Sequence, residues 1–176
     1  MPDDALGHHL LGSVLLKQGD LPGAIEELRQ AVRLDPTLSE ARVNLAQSLA
    51  RSGKREEALQ EQAEVRRLNE RNANIGRALI LLETAATKLA HDQRPEAIAD
   101  LREATTLAPD FAEAQYQLGA AAGDERALRQ ALSLNPHDPR AHAALGRLLA
   151  SRGDHVAATQ ELRRAAELAP GLRIAH

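Results

Sequence analysis

The sequence predicts an all-α chain built from about five pairs of helices. Two stretches of 26 residues, Leu11–Pro36 and Leu145–Pro170, agree at 12 positions without a gap. Segments that close on the pattern Leu-x-Pro end at Pro36, Pro109, Pro136 and Pro170. Upstream of these prolines, leucine and alanine recur at the spacing of an apolar helix stripe. A repeated helical unit that ends at a proline explains all three observations, because proline cannot continue a helix.

The composition suits a soluble, folded chain and argues against several functions. Of the 176 residues, 27% are charged and 43% hydrophobic, and the net charge is -3. The chain lacks the basic stripe that is typical of nucleic-acid binders, so we do not expect it to bind nucleic acid. The absence of cysteine excludes disulfides and thiol chemistry. The longest apolar run, residues 78–82, has five residues, whereas a membrane-spanning helix needs about 20.

The compartment stays open. No signal peptide is recognisable at Met1, so a cytoplasmic location is only the default expectation.

Aromatic residues make up 1% of the chain, namely Phe111 and Tyr116. The core must therefore be built from leucine and alanine, and its helices must pack closely.

The spacing of these residues resembles the tetratricopeptide repeat (TPR), a helix–turn–helix unit of 34 residues with the signature W-x2-L-G-x2-Y…A-x3-F…P. In the first repeat the signature falls on His8, Leu11, Gly12, Leu15, Ala24, Leu28, Ala31 and Pro36. The resemblance covers nearly the whole chain and implies a right-handed α-α superhelix. We expect a single array over residues 1–176, with repeats at 5–38, 39–72, 78–111, 112–138 (short) and 139–172, and the start of a truncated sixth repeat at 173–176.

The signature residues have physical reasons. Small residues such as Gly12 and Ala24 mark places where two helices cross closely, and larger side chains there would overpack the crossing. Glycine stops the first helix at the expected turns, which are Gly19–Asp20, Gly53–Lys54 and Gly153–Asp154. The proline of Leu-x-Pro ends the second helix.

Two irregularities interrupt the period. Residues 73–77 are inserted after repeat two, and repeat four lacks seven residues. Because no proline stands at Glu70, we expect the second helix of repeat two to continue about one turn, to near Arg71; a loop over 73–77 is the alternative. Seven residues make two helical turns, so repeat four should keep a shortened helix pair around Gly123–Asp124.

The last residues match the start of a further repeat, since Ala175 and His176 correspond to Ala141 and His142. Repeat arrays need polar terminal caps, and none is recognisable here. One explanation is that the chain is a piece of a longer protein. The other is that the exposed end stacks on another copy.

Catalytic and metal-binding motifs are not recognisable. There is no G-x-S-x-G, phosphate-binding loop or H-E-x-x-H. His8 and His9 are adjacent and diverge on a helix, which makes them a poor pair of metal ligands. We therefore expect no enzyme activity, no cofactor and no metal. An enzyme or metal protein that uses the histidines remains the rival hypothesis from another class.

The resemblance implies a protein-interaction scaffold that binds a peptide or helix on its concave face. In TPR arrays this face is lined mainly by the first helix of each repeat. Transferred by position, the candidate contact residues are His9, Ser13, Lys17, Val43, Asn44, Gln47, Arg51, Leu82, Tyr116 and Arg147. Asn44 stands where family members often hold a peptide backbone. Tyr116 is the strongest single candidate, because tyrosine anchors interfaces well.

The identity of the partner is not encoded in a recognisable motif. Of the positions that form the carboxylate clamp in some TPR proteins, only Asn44 matches, so that clamp is not expected. An amphipathic helix, or an extended apolar peptide with some acidic residues, would suit a groove with scattered positive charge. The alternative within the same fold is a self-assembly or spacer segment, with association through uncapped ends.

Overall fold

The computed structural model describes residues 4–169, and this part of the chain contains helices and no strand. The helices are α1 (Ala5–Gln18), α2 (Leu21–Leu34), α3 (Ser39–Arg51), α4 (Arg55–Ala90), α5 (Arg94–Leu107), α6 (Ala112–Ala122), α7 (Glu125–Leu134), α8 (Pro139–Ser151) and α9 (His155–Leu168). The all-α prediction is confirmed. Two compact units divide at Asn72 and Ala73, within α4. We call them unit 1 (up to Asn72) and unit 2 (from Ala73).

The predicted turns follow from glycine and aspartate. Gly19 ends α1 with a φ of 86°, a left-handed conformation that an L side chain adopts only at a cost. The Asp20 carboxylate then accepts a hydrogen bond from the Gly23 N–H at 3.0 Å and caps α2. Gly53 and Gly153 also have positive φ, so all three predicted turns are confirmed.

The Leu-x-Pro segments end the second helices as predicted. The helices α2, α5 and α7 end at Leu34, Leu107 and Leu134, each two residues before its proline. Pro170 and the residues after it, including the predicted start of a sixth repeat, lie outside the described residues.

Leucine and alanine build the cores of both units. In unit 1, Leu28 and Ala24 of α2 are fully buried together with Leu45 of α3, which is 2% exposed. A Cβ at Gly12 would lie only 2.6 Å from Cγ of Leu28. The helices therefore cross where the sequence places its smallest residues. In unit 2, Leu101 occupies the position of Leu28 and is fully buried as well.

The predicted end of the second helix near Arg71 is wrong, and so is the alternative of a loop over 73–77. The helix α4 continues through both positions to Ala90 and has 36 residues. No proline interrupts this stretch, and Gly76 is the single glycine in it. One glycine costs a helix about 1 kcal/mol, which is too little to end it.

The shortened fourth helix pair is confirmed. The helices α6 and α7 have 11 and 10 residues, whereas α8 and α9 have 13 and 14. Gly123 ends α6 in the left-handed conformation with a φ of 65°, and Asp124 caps α7. Compared with α8 and α9, α6 is shorter by two residues and α7 by four, and the glycine–aspartate turn between them is kept.

Candidate functional site

The main candidate site is a cleft of about 530 Å³ in unit 1. Three helices form it, namely α1, α3 and the beginning of α4. The first two contribute polar side chains at its rim, and Val43 and Val65 contribute apolar surface. The lining residues are His9, Ser13, Lys17, Ser39, Glu40, Val43, Asn44, Val65 and Asn69. We call this cleft the polar cleft.

A hydrogen-bond network joins α1 to α3 in the polar cleft. The Asn44 Nδ2 group donates to Ser13 Oγ at 2.9 Å and lies 3.2 Å from His9 Nε2. Ser13 Oγ in turn donates to the His9 carbonyl at 2.7 Å. Because the Asn44 amide donates to His9 Nε2, the proton of a neutral His9 ring belongs on Nδ1. That Nδ1 is a buried polar atom without a hydrogen-bond partner among residues 4–169.

The two cations near the polar cleft, Arg51 and Lys17, differ in whether other groups of the fold already bind them. Arg51 donates to the Leu16 carbonyl at 3.2 Å and is thus engaged within the fold. Lys17 lies on the rim, is exposed, and has no ion pair within the described part of the chain. Among the described residues that line the polar cleft, Lys17 is the one lysine or arginine.

A second cleft in unit 1, of about 560 Å³, lies between α3 and α4. Four of its seven lining residues are apolar, against two of nine in the polar cleft, and Val43 and Val65 line both. The lining residues are Val43, Ala46, Gln47, Ala50, Gln62, Val65 and Arg66. We call it the apolar cleft. Gln62, one of its lining residues, stands where the first repeat has the buried Leu28.

Unit 2 has a cleft of about 780 Å³ beside Tyr116. The guanidinium of Arg140 lies 4.7 Å from the centroid of the Tyr116 ring, which is a cation–π contact. Arg140 also donates to Glu113 at 2.7 Å and to Asp138 at 2.9 Å. These charge-assisted hydrogen bonds hold Arg140 over the ring, so one face of Tyr116 is already covered.

Asp138 and Arg140 shift each other's pKa. Burial acts to raise the pKa of Asp138, but hydrogen bonds from the Arg140 side chain and backbone outweigh it and leave that pKa below its usual range. The hydrogen bonds from Arg140 to Asp138 and Glu113 raise the pKa of the guanidinium. Asp138 and Arg140 are therefore both ionised at neutral pH.

Comparisons with known proteins agree with this architecture. The profile described as "TPR repeat" matches residues 12–53, and the profile described as "Tetratricopeptide repeat" matches residues 125–172. Together the two matches cover just over half of the chain. The chain belongs to the tetratricopeptide repeat family.

Solved structures are similar to this chain at low sequence identity. YrrB, described as a TPR protein with an unusual peptide-binding site, is 18% identical with a TM-score of 0.51, over 98% of this chain and 90% of YrrB. The Cut9–Hcn1 hetero-tetramer of APC/C is 18% identical with a TM-score of 0.52, over 98% of this chain and 42% of the other. MamA is 22% identical with a TM-score of 0.49, over 90% of this chain and 94% of MamA. No curated protein sequence matches the chain.

The TPR fold indicates a protein–protein interaction scaffold, and TPR proteins are in general non-catalytic. Within residues 4–169, no helix combines the length and apolarity that a membrane span requires.

The structure brings six of the ten predicted contact residues to the two clefts of unit 1. His9, Ser13, Lys17 and Asn44 line the polar cleft, Gln47 lines the apolar cleft, and Val43 lines both. Tyr116 lines the cleft of unit 2. Arg51 is engaged with α1, and Arg147 is exposed on α8, outside these clefts.

The placement of Leu82 on the binding surface is wrong. Leu82 is 5% exposed and packs in the core of unit 2 with Ala78 and Ala85. Polar residues stand at two signature positions of this segment, Thr84 and Lys88. The apolar stripe therefore runs through residues 78, 82 and 85, and transfer by TPR position fails here.

Two contributions to the site were missed in the sequence. Val65 and Asn69 line the polar cleft from α4, a second helix, whereas the transferred positions lay on first helices only. No transferred position pointed to these two residues, because the transfer covered first helices only.

The histidines at signature positions are structural. His8 Nδ1 lies 2.6 Å from Glu27, and His142 Nδ1 lies 2.6 Å from Glu161, in each case 19 residues further along the chain. Arg42 and Glu61 form the same pair in repeat two at 2.6 Å. The spacing of 19 residues is visible in the sequence and would have predicted these pairs.

Proposed function

We propose that the chain is a non-catalytic scaffold that binds a peptide of a partner protein in the polar cleft of unit 1. The observation that carries the proposal is the convergence of Ser13, Lys17, Val43 and Asn44 on one cleft. YrrB, a TPR protein of the same fold, has a peptide-binding site, which supports the same class of function.

The chemistry of the polar cleft favours an extended peptide with an apolar side chain and an acidic one. Val43, which is 49% exposed, and Val65 offer apolar surface against which the apolar side chain can pack. Lys17 offers a cation to the second, since it has no ion pair within residues 4–169. Asn44 lines the same cleft and can hydrogen-bond a peptide backbone once its hydrogen bond to Ser13 Oγ is broken.

The test uses peptides selected from a random display library against the full chain. Their affinity is measured by fluorescence anisotropy for the wild type, Lys17→Ala and Val43→Glu. We expect each change to weaken binding at least about tenfold, because one removes the cation and the other buries an unpaired carboxylate. Arg129→Ala is the matched control, since Arg129 is an exposed cation on α7 in unit 2. Equal affinities for all four proteins would refute the proposal.

A second candidate function is self-association, and one observation favours it. The outer face of α1 exposes Leu10, Leu11 and Val14, each about half accessible to solvent. Such a row of apolar side chains on one helix marks an interaction surface. The predicted route through the C-terminal end falls outside the described residues, because residues 170–176 are not among them.

A further inference from the structure

The outer face of α1 is the face with which the first helix of a repeat stacks on the repeat before it. In α3 and α6 this stacking face is covered by another helix, whereas in α1 no described helix covers it. The third, seventh and tenth positions of a TPR fall on Gly7, Leu11 and Val14 in α1, and the two larger residues are each 48% exposed. The corresponding residues of α3 and α6 are all buried, namely Ala41, Leu45 and Ser48, and Ala114, Leu118 and Ala121. In α3 the covering helix is α2, whose Ile25 and Leu28 share a core with Ala41 and Leu45.

Unit 1 has a second uncovered face, on α3 and residues 55–72 of α4. Ile25 of the first repeat is 5% exposed, whereas Leu59, its counterpart in repeat two, is 60% exposed. The apolar cleft lies on the same face. In a regular array the first helix of the next repeat would occupy this place, but α4 has no turn after repeat two.

We infer that α1 of a second copy of this chain occupies the apolar cleft, so that unit 1 stacks head to tail on unit 1. The inference rests on the second candidate function, self-association, and not on peptide binding, although Val43 and Val65 line both clefts. We call this interface between two copies the joint. Its template is the contact between α1 and α3 within one chain, which we call the internal joint. It shows which positions meet when one TPR stacks on the next.

The residues at the meeting positions fit each other. In the internal joint, Asn44 lies against His9 and Ser13. Between copies, Leu10 takes the place of Asn44, and Val43 and Gln47 take the places of His9 and Ser13. Leu10 is 58% exposed and Val43 is 49% exposed, so the joint would bury two apolar side chains against each other.

A second apolar pair supports the same joint. Leu45 and Ile25 lie in one core cluster of unit 1. Between copies, Leu11 stands in the place of Leu45, and Leu59 stands in the place of Ile25. Both leucines are about half exposed or more in the isolated chain.

The joint between copies creates no unpaired charge at the place where the internal joint has an ion pair. Arg29 and Glu57 pair across the internal joint. Their counterparts between copies are Ala63 and Gly23, which are uncharged. The segment that comes next in the sequence is not available as the occupant, because its apolar residues Ala78, Leu82 and Ala85 are buried in the core of unit 2.

The test is sedimentation velocity of the full chain over a range of concentrations. We expect the wild type to sediment faster as its concentration rises. A joint between two different faces does not close on itself, so species larger than dimers form. Leu11→Glu and Leu59→Glu should each weaken association by about a hundredfold or more, because each buries an unpaired carboxylate. Val156→Glu is the control, since Val156 is 74% exposed on α9.

Mixing the two variants distinguishes this joint from other modes of association. Leu11→Glu keeps the apolar cleft intact, and Leu59→Glu keeps the outer face of α1 intact. An equimolar mixture should therefore form dimers, although each variant alone stays monomeric. Circular dichroism and thermal melting of each variant confirm that the exposed substitutions leave the fold intact.

Three outcomes would overturn the inference. A wild type that stays monomeric at every concentration overturns it together with the second candidate function. Association that survives Leu59→Glu overturns the joint and leaves self-association standing. The absence of dimers in the mixture, with both variants folded, also overturns the joint, because an intact cleft and an intact α1 face would then fail to bind each other. Peptide binding to the polar cleft is unaffected by all three.

Discussion

At the scale of single residues, the size of a side chain decides how closely two helices pack. A Cβ at Gly119 would lie 2.5 Å from Cγ of Leu128 and 2.9 Å from its backbone nitrogen. A backbone atom cannot move aside without displacing α7. The sequence indicated such crossings from its small residues, but the distance that remains at each crossing depends on the packed structure.

Gly119→Ala should destabilise the chain by about 1–3 kcal/mol, because overpacking outweighs the gain in helix propensity. Gly76→Ala is the matched control, since it is also a glycine within a helix but has open space around it. That change should stabilise the chain by about 0.5–1 kcal/mol. Urea denaturation of both variants gives the free energies of unfolding. A Gly119→Ala protein as stable as the wild type would contradict the close crossing.

Asp92 is the one non-glycine residue with a positive φ among residues 4–169. It has a φ of 58° at the turn after α4, where the other helix pairs have glycine. Asp92→Gly should stabilise the chain by about 0.5–1 kcal/mol because it relieves left-handed strain, whereas Asp92→Ala should destabilise it. Thermal unfolding that ranks the alanine variant above the glycine variant would contradict this assignment.

Asp138 gives the stability of the chain a dependence on pH. Its folded-state pKa is lower than its unfolded one, so its contribution is present above the unfolded pKa, about 3.9. The contribution is lost as the pH falls through the folded pKa. Asp138→Asn keeps a helix-capping side chain and should cost about 1 kcal/mol at pH 7. The difference in free energy of unfolding from the wild type should shrink below pH 4. A constant difference across this range would exclude Asp138 as its source.

At the scale of elements, short-range signals predicted most helix ends. Glycine, aspartate and proline define the turns around α1, α2 and α7, and the structure agrees there. The exception is α4, where the period of the array suggested an end that no residue enforces. A repeat period is a property of packing between repeats, so it cannot end a helix in the absence of a local stop signal.

The continuity of α4 predicts helical structure in the inserted residues. Backbone chemical shifts from NMR should be helical over residues 69–77, the stretch that includes the insertion. Residues 35–38, between α2 and α3, serve as the internal reference for a connection outside the helices. Shifts typical of a disordered chain at 73–77 would contradict the continuous helix.

The ion pair between Arg42 and Glu61 links α3 to α4 in a partly buried position. The two side chains are 12% and 22% exposed. Glu61→Gln should destabilise the chain by about 1–2 kcal/mol, because it leaves a partly buried guanidinium with a weaker acceptor. Glu64→Gln is the control, since Glu64 pairs with Arg67 nearer the surface, and its effect should stay within about 0.5 kcal/mol. Equal losses in the two variants would show that the burial of Arg42 does not matter.

At the scale of the whole molecule, the family and the fold were predictable because many positions of the TPR signature agree in phase. The polar cleft was predictable in part, since first-helix positions such as Ser13 and Asn44 line it. Leu82 was placed wrongly because the apolar stripe of its segment runs through Leu82 itself, together with Ala78 and Ala85. The apolar cleft could not be derived from the signature, because it depends on the absence of a turn after repeat two.

The measurement that tests the central claim most directly is an NMR titration of the full chain with a peptide selected from a random display library. The claim is that partners bind in the polar cleft of unit 1. We predict that the amide signals of Ser13, Val43, Asn44 and Val65 shift with peptide concentration, while those around Tyr116 in unit 2 do not. A peptide that binds the folded chain and shifts only signals outside the polar cleft would contradict the claim.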